Sequence, residues 1–147
     1  MADIAMVVPL VARIVRKAAL RSSESATKLS LFGSAFTVDE LTTLADLNPI
    51  ELVCDGYTAG GFALTWTTGY ITADFIPSDE SNLVSIVMPN PVVVGGTVFG
   101  GWVHDVGGLL MAFNLISPVA LTSPGQALKL MLEDSYPPGV PSVQVIP

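Results

Sequence analysis

Few residues in this 147-residue chain have side chains that act as nucleophiles or bases in catalysis, and these residues are far apart in the sequence. His104 is the sole histidine and Cys54 the sole cysteine. Asp105 follows His104 directly, but adjacent residues of a strand point to opposite faces, which disfavours a serine triad in which that acid orients the base. The G-x-S-x-G sequence of a nucleophile elbow is absent. We therefore expect His104 to be an exposed residue beside a hairpin, and Cys54 to be a small core residue.

Carboxylates and glycines do not supply a reactive or ligand-binding pattern either. The acids include the adjacent pairs Asp39 with Glu40, Asp79 with Glu80 and Glu133 with Asp134. Two converging carboxylates can hydrolyse a polysaccharide, but solvation of the protein surface is the interpretation that we favour. No alternating aspartate run for calcium is present, and no glycine pair belongs to a G-x-x-x-x-G-K sequence. The sequence predicts no catalytic residue, no metal site and no cofactor.

The formal net charge of −7 is distributed unevenly along the chain. The first 28 residues hold five basic and two acidic residues, whereas the other 119 hold one lysine and eleven acids. An acidic body repels phosphate backbones, so direct binding of nucleic acid is disfavoured. This asymmetry favours association of the basic segment of one copy with the acidic body of another. A solvated helix face is the alternative interpretation.

Composition excludes several classes of protein. Half of the residues are apolar and only 13% are charged, which argues against disorder, and a single cysteine excludes a disulfide scaffold. The charge-free run at residues 84–103 is broken by prolines and glycines, so we expect no membrane span. The length suits one domain with a sizeable core.

The N-terminal segment has the pattern of an amphipathic helix. Apolar residues recur at three- and four-residue steps up to Ala18, and the basic residues fall on the opposite side. Because proline is tolerated in a first turn, the predicted helix runs from about Pro9 to residue 20, after an extended apolar arm at 1–8. Residues 21–27 are predicted to be a linker. Packing of this helix against protein is favoured over binding to a membrane surface.

The rest of the chain has the pattern of short strands between turns. T-x-x-E at 37–40 predicts a short helix at 39–45, and the polar run at 77–82 predicts a loop. We predict a mainly β fold, an antiparallel β-sandwich of jelly-roll-like or Ig-like type with an N-terminal amphipathic helix and an extended C-terminal tail. The predicted divisions are 1–27 for the arm, helix and linker, 28–135 for the body and 136–147 for the proline-rich tail. The predicted strands are 29–32, 50–54, 62–66, 70–76, 83–88, 92–94, 97–103, 109–113, 119–121 and 127–132.

Two stretches of the body resemble small β-rich structural proteins of tailed bacteriophages. The first has K-L-S-L-F at 28–32, then F-T-V-D-E-L-T-T-L-A-D-L, D-G-Y and Trp66. The second has V-F-G-G-W-V-H-D-V-G-G-L-L-M-A-F and S-P-V-A-L-T-S-P-G-Q-A-L-K-L. The resemblance covers residues 28–132 and implies a virion protein of the capsid cement or decoration type that catalyses nothing.

That resemblance carries expectations about partners and location. It implies a protein of the virion, assembled in the host cytoplasm, that binds the major capsid protein or other virion proteins and forms a homo-oligomer. Residues 1–21 and 136–147 would then make contacts between subunits. The expected interface residues are three apolar anchors and three charge partners, namely Val11, Ile14, Val15, Arg13, Arg16 and Lys17.

A different class of function is a phage tail or fibre component that binds host surface glycans. Aromatic rings stack on sugars, and Trp66 or Trp102 would have to be exposed for that role. A third class, an enzyme acting on cell-wall polysaccharide, needs two carboxylates that converge in a cleft.

Overall fold

The computed structural model describes residues 5–10, 26–71, 77–135 and 141–145. Within these ranges strands dominate, together with one short α-helix and one turn of 3-10 helix. The elements in chain order are β1 (Ala5–Pro9), β2 (Lys28–Phe32), α1 (Leu44–Leu47), the 3-10 helix (Asn48–Ile50), β3 (Phe62–Ala63), β4 (Trp66–Ile71), β5 (Pro77–Ser81), β6 (Val84–Val87), β7 (Gly96–Asp105), β8 (Gly108–Leu121), β9 (Ala127–Ser135) and β10 (Pro141–Val145). The prediction of a mainly β fold is confirmed.

The strands form two antiparallel sheets. The first sheet has the order β1-β8-β7-β2-β3. The second has the order β10-β9-β5-β4, and β6 pairs with β9 beyond the end of β5. The two terminal strands, β1 and β10, are edge strands of different sheets and contact each other.

One apolar cluster, called the inner cluster below, lies between the two sheets and joins them. Along β2, Leu29 and Leu31 point towards the second sheet, while Ser30 and Phe32 point away, as the two-residue period of a strand requires. The inner cluster also takes Val103, Met111 and Phe113 from the first sheet. Its members from the second sheet are Val84, Ile86, Leu128, Leu130 and Leu132. Cys54 is buried at the margin of this cluster, which confirms its predicted core position.

A second apolar cluster, called the outer cluster below, lies on the other face of the first sheet. Phe32, Trp102 and Ala112 project there from β2, β7 and β8. The segment from Phe36 to the 3-10 helix crosses this face and contributes Val38 and Leu47 to the cluster. The first sheet is therefore covered by apolar side chains on both faces.

Three predicted turns are confirmed. Gly56, in the Asp55-Gly56 turn, has φ of 81°, and Gly125, in the turn after β8, has φ of 80°. This left-handed backbone favours glycine because it has no Cβ. The third turn, at 105–108, joins β7 to β8 as a hairpin, with the Asp105 side chain accepting hydrogen bonds from the amides of Gly107 and Gly108.

The predicted helix at 39–45 is misplaced, because a different residue pair makes the N-terminal contacts. Asp46 accepts a hydrogen bond from the amide of Thr43 at 2.9 Å, so the helix begins at Leu44. Asp39 instead accepts from the amide of Leu41, two residues on, and closes a turn. Local hydrogen bonding of this kind competes with helix formation.

Three predictions about strands are wrong. Residues 50–54 form only an isolated bridge, Glu51 with Phe32, and residues 92–94 form no strand. The polar run at 77–82, predicted to be a loop, contains β5. Proline, serine and aspartate have low strand propensity, but β4 and β9 flank β5 and supply partners on both edges.

Both terminal segments contribute a strand where they are described, and only Pro9 and Leu10 differ from their predicted form. Pro9 ends β1 and is not in a helix, and the backbone pairing with β8 continues to a hydrogen bond from Leu10 to Leu110. Most of the predicted helix, 11–20, lies outside the described residues. In the predicted tail, β10 is extended and pairs with β9. The two sheets thus include strands from beyond the predicted body at 28–135.

Candidate functional site

The six predicted interface residues cannot be placed against the body. Val11, Arg13, Ile14, Val15, Arg16 and Lys17 all lie outside the described residues. The described part of the chain nevertheless contains one polar network and one apolar surface that bear on function.

The polar network lies at the end of the first sheet near the β7–β8 hairpin. His104 Nε2 lies 2.9 Å from the hydroxyl oxygen of Ser30, which is 74 residues earlier in the chain. The two residues meet because β2 pairs with β7, with Ser30 opposite Trp102 and Lys28 opposite His104. His104 is half-buried, so its predicted exposed position is wrong.

Tyr57 and Glu51 extend the polar network into the loop before β3. The Tyr57 hydroxyl donates to Glu51 Oε1 at 2.8 Å and accepts from the backbone amide of Leu31 at 3.1 Å. The same carboxylate oxygen accepts from the amide of Gly60 at 2.7 Å. This arrangement holds the 51–60 segment against β2.

Donor and acceptor roles show what the Ser30–His104 pair can do. Ser30 donates to the carbonyl of Gly60 at 3.2 Å, and a hydroxyl has only one proton to give. That one proton can go to the Gly60 carbonyl or to His104 Nε2, and the tautomer of the imidazole decides which of these two acceptors receives it.

The surroundings of Ser30 also leave no space for a substrate. Ser30 is 1% exposed, and the backbone of Gly61 lies over it. A Cβ built on Gly61 would be 2.6 Å from the Ser30 hydroxyl. The polar network therefore has the properties of a structural contact between a loop and a sheet.

The pKa shifts in the polar network follow from burial. Desolvation lowers the pKa of His104, and the Lys28 charge lowers it further, while the Glu51 and Asp105 carboxylates oppose both effects. Desolvation raises the pKa of the Tyr57 hydroxyl, which stays protonated and able to donate. At neutral pH the polar network thus contains a neutral imidazole and a neutral phenol.

Sequence reasoning missed Ser30, Glu51 and Tyr57 as members of one group. Neither Glu51 nor Tyr57 is near Ser30 in the sequence, and no local pattern marks them. The only available signal was the D-G-Y turn, which places Tyr57 directly after a sharp change of chain direction.

The structure brings two of the three predicted acidic pairs together on neighbouring strands. In the β5–β9 register, Asp79 lies opposite Asp134 and Glu80 lies opposite Glu133. The prediction that these acids solvate the surface is wrong for Asp79 and Asp134, which are both 0% exposed. Asp39 and Glu40 are exposed, as predicted.

The two tryptophans offer little surface for stacking on a sugar. Trp102 is 2% exposed in the outer cluster, and its indole N–H has no hydrogen-bond partner among the described residues. Trp66 is half-buried, and its indole N–H donates to the Thr27 hydroxyl at 2.9 Å.

An exposed apolar surface lies at the end of the body opposite the β7–β8 hairpin. We call it the valine end, and it consists of Val53, Val87, Val93 and Val94, which are 78%, 56%, 82% and 43% exposed. The Asp55-Gly56 turn joins them, because the Asp55 carboxylate accepts from the amides of Val93 and Val94. A Cβ on Gly56 would be 2.8 Å from the Val87 carbonyl.

A cleft of about 310 Å³ opens beside the valine end. Its walls come from the segments 33–34, 49–53 and 95–97. Val53 and Glu51 belong to the same wall of this cleft, and the Glu51 carboxylate is hydrogen-bonded to Tyr57 and Gly60.

Metal and membrane sites were sought in the same part of the chain. Across residues 5–10, 26–71, 77–135 and 141–145, no three His, Cys, Asp or Glu side chains are arranged to hold a metal ion. Within those residues, no helix is long and apolar enough to cross a membrane.

Comparisons of the chain with protein-family models, with curated proteins and with solved structures find no match. A functional assignment therefore depends on the residues and the geometry given above.

Proposed function

We propose that this chain is a non-enzymatic structural protein of a tailed-phage virion, a capsid cement or decoration subunit that binds neighbouring capsid proteins. In this proposal the two sheets form an antiparallel β-sandwich of jelly-roll-like or Ig-like type, and the chain acts as a homo-oligomer. The sequence resemblance at 28–132 supports the class of protein. The main structural observation in its favour is the position of the terminal strands.

β1 and β10 are edge strands of different sheets and lie next to each other. An edge strand has one row of backbone amides and carbonyls that its own sheet leaves unpaired, and such a row can pair with a strand of another chain. Among the described residues β1 pairs with β8 and β10 pairs with β9, and in this proposal their other backbone rows make contacts between subunits. This agrees with the expectation that both ends of the chain serve assembly.

The polar network also supports a role without catalysis. Its serine is covered by the Gly61 backbone and is hydrogen-bonded to His104 at 2.9 Å. These contacts stabilise a loop, which is what a binding protein with a rigid surface needs.

The test is binding of the purified full-length chain to capsids assembled without it. We expect saturable binding and a higher capsid melting temperature, because a cement protein stabilises the state that it binds. The variant Arg13→Glu/Arg16→Glu/Lys17→Glu should bind more weakly, whereas Lys129→Glu, a charge change on the body, should bind as the wild type does. Absence of binding by the wild-type chain would overturn the proposal.

A further inference from the structure

We infer that the valine end is a self-association surface that takes the basic, apolar segment at residues 11–21 of a second copy of this chain. The inference rests on the proposed function, since it names the partner and the surface through which subunits join. The four valines of the valine end are each at least 43% exposed, and exposed apolar residues that lie together mark interaction sites.

Hydrogen bonds join the two backbone segments that carry Val53 and Val93–Val94. The Asp55 carboxylate holds the amide of Val93 at 2.7 Å and that of Val94 at 3.1 Å. The Asp55 amide donates to the Val94 carbonyl, which closes the contact between the two segments. Because these bonds fix the backbone, the valines form a preorganised surface whose ordering adds little to the cost of binding.

The negative charge of the body favours a partner with basic residues at the valine end. The Asp55 carboxylate lies between the valines, where it accepts from the amides of Val93 and Val94. Residues 29–128 contain nine acids and not one lysine or arginine. A partner with apolar and basic residues together would bury the valines and meet these carboxylates.

The segment 11–21 of this chain has that composition. Its sequence, V-A-R-I-V-R-K-A-A-L-R, has four basic residues, no acids and apolar residues between the charges. The donor segment and the acceptor surface are different parts of the chain. Such a head-to-tail contact closes into a ring or extends into a row of subunits.

The experiment is a binding titration of a fluorescein-labelled peptide of residues 11–21 against the full-length chain, followed by anisotropy. We expect saturable binding that weakens at least tenfold in the variant Val53→Ser/Val93→Ser. The matched control is Val106→Ser, which changes a 92% exposed valine at the hairpin tip, and it should bind the peptide as the wild type does. A peptide with Arg13, Arg16 and Lys17 replaced by glutamine should bind at least tenfold more weakly.

The solution mass by light scattering supplies the second readout. The Val53→Ser/Val93→Ser variant should have a smaller mass than the wild type at equal concentration, and the Val106→Ser variant should not. Equal peptide binding by the wild type and the Val53→Ser/Val93→Ser variant, or no peptide binding by the wild type, would overturn the inference.

The capsid assay separates this inference from the proposed function. A chain that binds capsids but not the peptide overturns the inference and leaves the proposed function standing. A chain that binds the peptide at the valine end but does not bind capsids overturns the capsid role, with the self-association surface retained.

Discussion

The two faces of the first sheet are both buried, but by different means. The inner face contributes Leu31, Met111 and Phe113 to an apolar core shared with the second sheet. The outer face mixes Phe32 and Trp102 with Ser30, His104 and Asn114, and it binds the 36–60 segment partly through hydrogen bonds. The inner face should therefore control global stability, whereas the outer face should control how firmly that segment is held.

The largest effect should come from the inner face. Phe113 is 0% exposed, so Phe113→Ala should lower the free energy of unfolding by about 3–5 kcal/mol through lost burial and a new cavity. Urea denaturation followed by circular dichroism measures this change. The control Ile116→Ala removes a 74% exposed side chain from the same strand and should change stability by less than about 0.5 kcal/mol. Equal losses in both variants would contradict the position of Phe113 in the core.

A smaller effect should follow from Asn114→Ala on the outer face. The Asn114 side chain accepts from the amide of Val38 at 2.8 Å and donates to the carbonyl of Phe36. Loss of both bonds leaves backbone groups of the segment without partners, at a cost of about 1–3 kcal/mol. Hydrogen exchange of the Val38 amide should accelerate more than that of amides in β9.

The variant Asn114→Asp serves as the control because it keeps an acceptor for Val38. The Val38 amide should exchange more slowly in Asn114→Asp than in Asn114→Ala. If both variants leave that amide as protected as in the wild type, the outer face does not hold the segment through Asn114.

Tyr57→Phe removes the hydroxyl from the polar network and keeps the ring, which packs edge-on against Phe62 at 5.6 Å between centroids. The amide of Leu31 and the Glu51 carboxylate each lose a hydrogen-bond partner. We expect a loss of about 1–2 kcal/mol in unfolding free energy, measured in urea. An unchanged midpoint would show that the hydroxyl contributes nothing to holding the loop.

The smallest effect should be the pH dependence due to His104. Burial lowers the pKa of His104 in the folded chain below its ordinary value of 6.5, so the unfolded chain binds a proton first as the pH falls. The contribution of the neutral imidazole to the free energy of unfolding is fully present above pH 6.5. It is lost as the pH falls from there through the lowered pKa of the folded state. Stability should therefore decline as the pH falls below about 6.5 towards the lowered pKa of the folded state.

The matched variant for that measurement is His104→Gln, which cannot be protonated in this range. Its unfolding free energy should depend less on pH than that of the wild type. A wild-type stability that increases on acidification would contradict the direction of the pKa shift.

The hairpin at 105–108 and the turns at Gly56 and Gly125 could be predicted because a few adjacent residues decide their geometry. Alternation along β2 likewise identified Leu29 and Leu31 as core residues. The helix failed as a prediction because Thr37 and Thr43 both precede an acid by three residues, and only Thr43 makes the contact with its acid. Short-range patterns offer such alternatives, and long-range packing selects between them.

The candidate sites were less predictable than the fold. The meeting of Ser30 with His104 depends on the register between β2 and β7, because a shift of β2 by one residue would turn Ser30 to the inner face and leave His104 on the outer face. The valine end depends on the contact of the Asp55-Gly56 turn with residues 87 and 93–94. Neither contact could be predicted from the residues adjacent to it in the sequence.

By itself, the sequence determined the mainly β class, the sharp turns, the core position of Cys54 and the separation of basic and acidic charge. These properties depend on backbone conformation, side-chain period or composition, which neighbouring residues set. Tertiary structure alone decided that β5 forms a strand from a polar run, that Asp79 and Asp134 are buried opposite each other, and that Pro9 ends a strand. In each of these cases the deciding contact is with residues far along the chain, and pairing or burial there outweighs the local conformational preference.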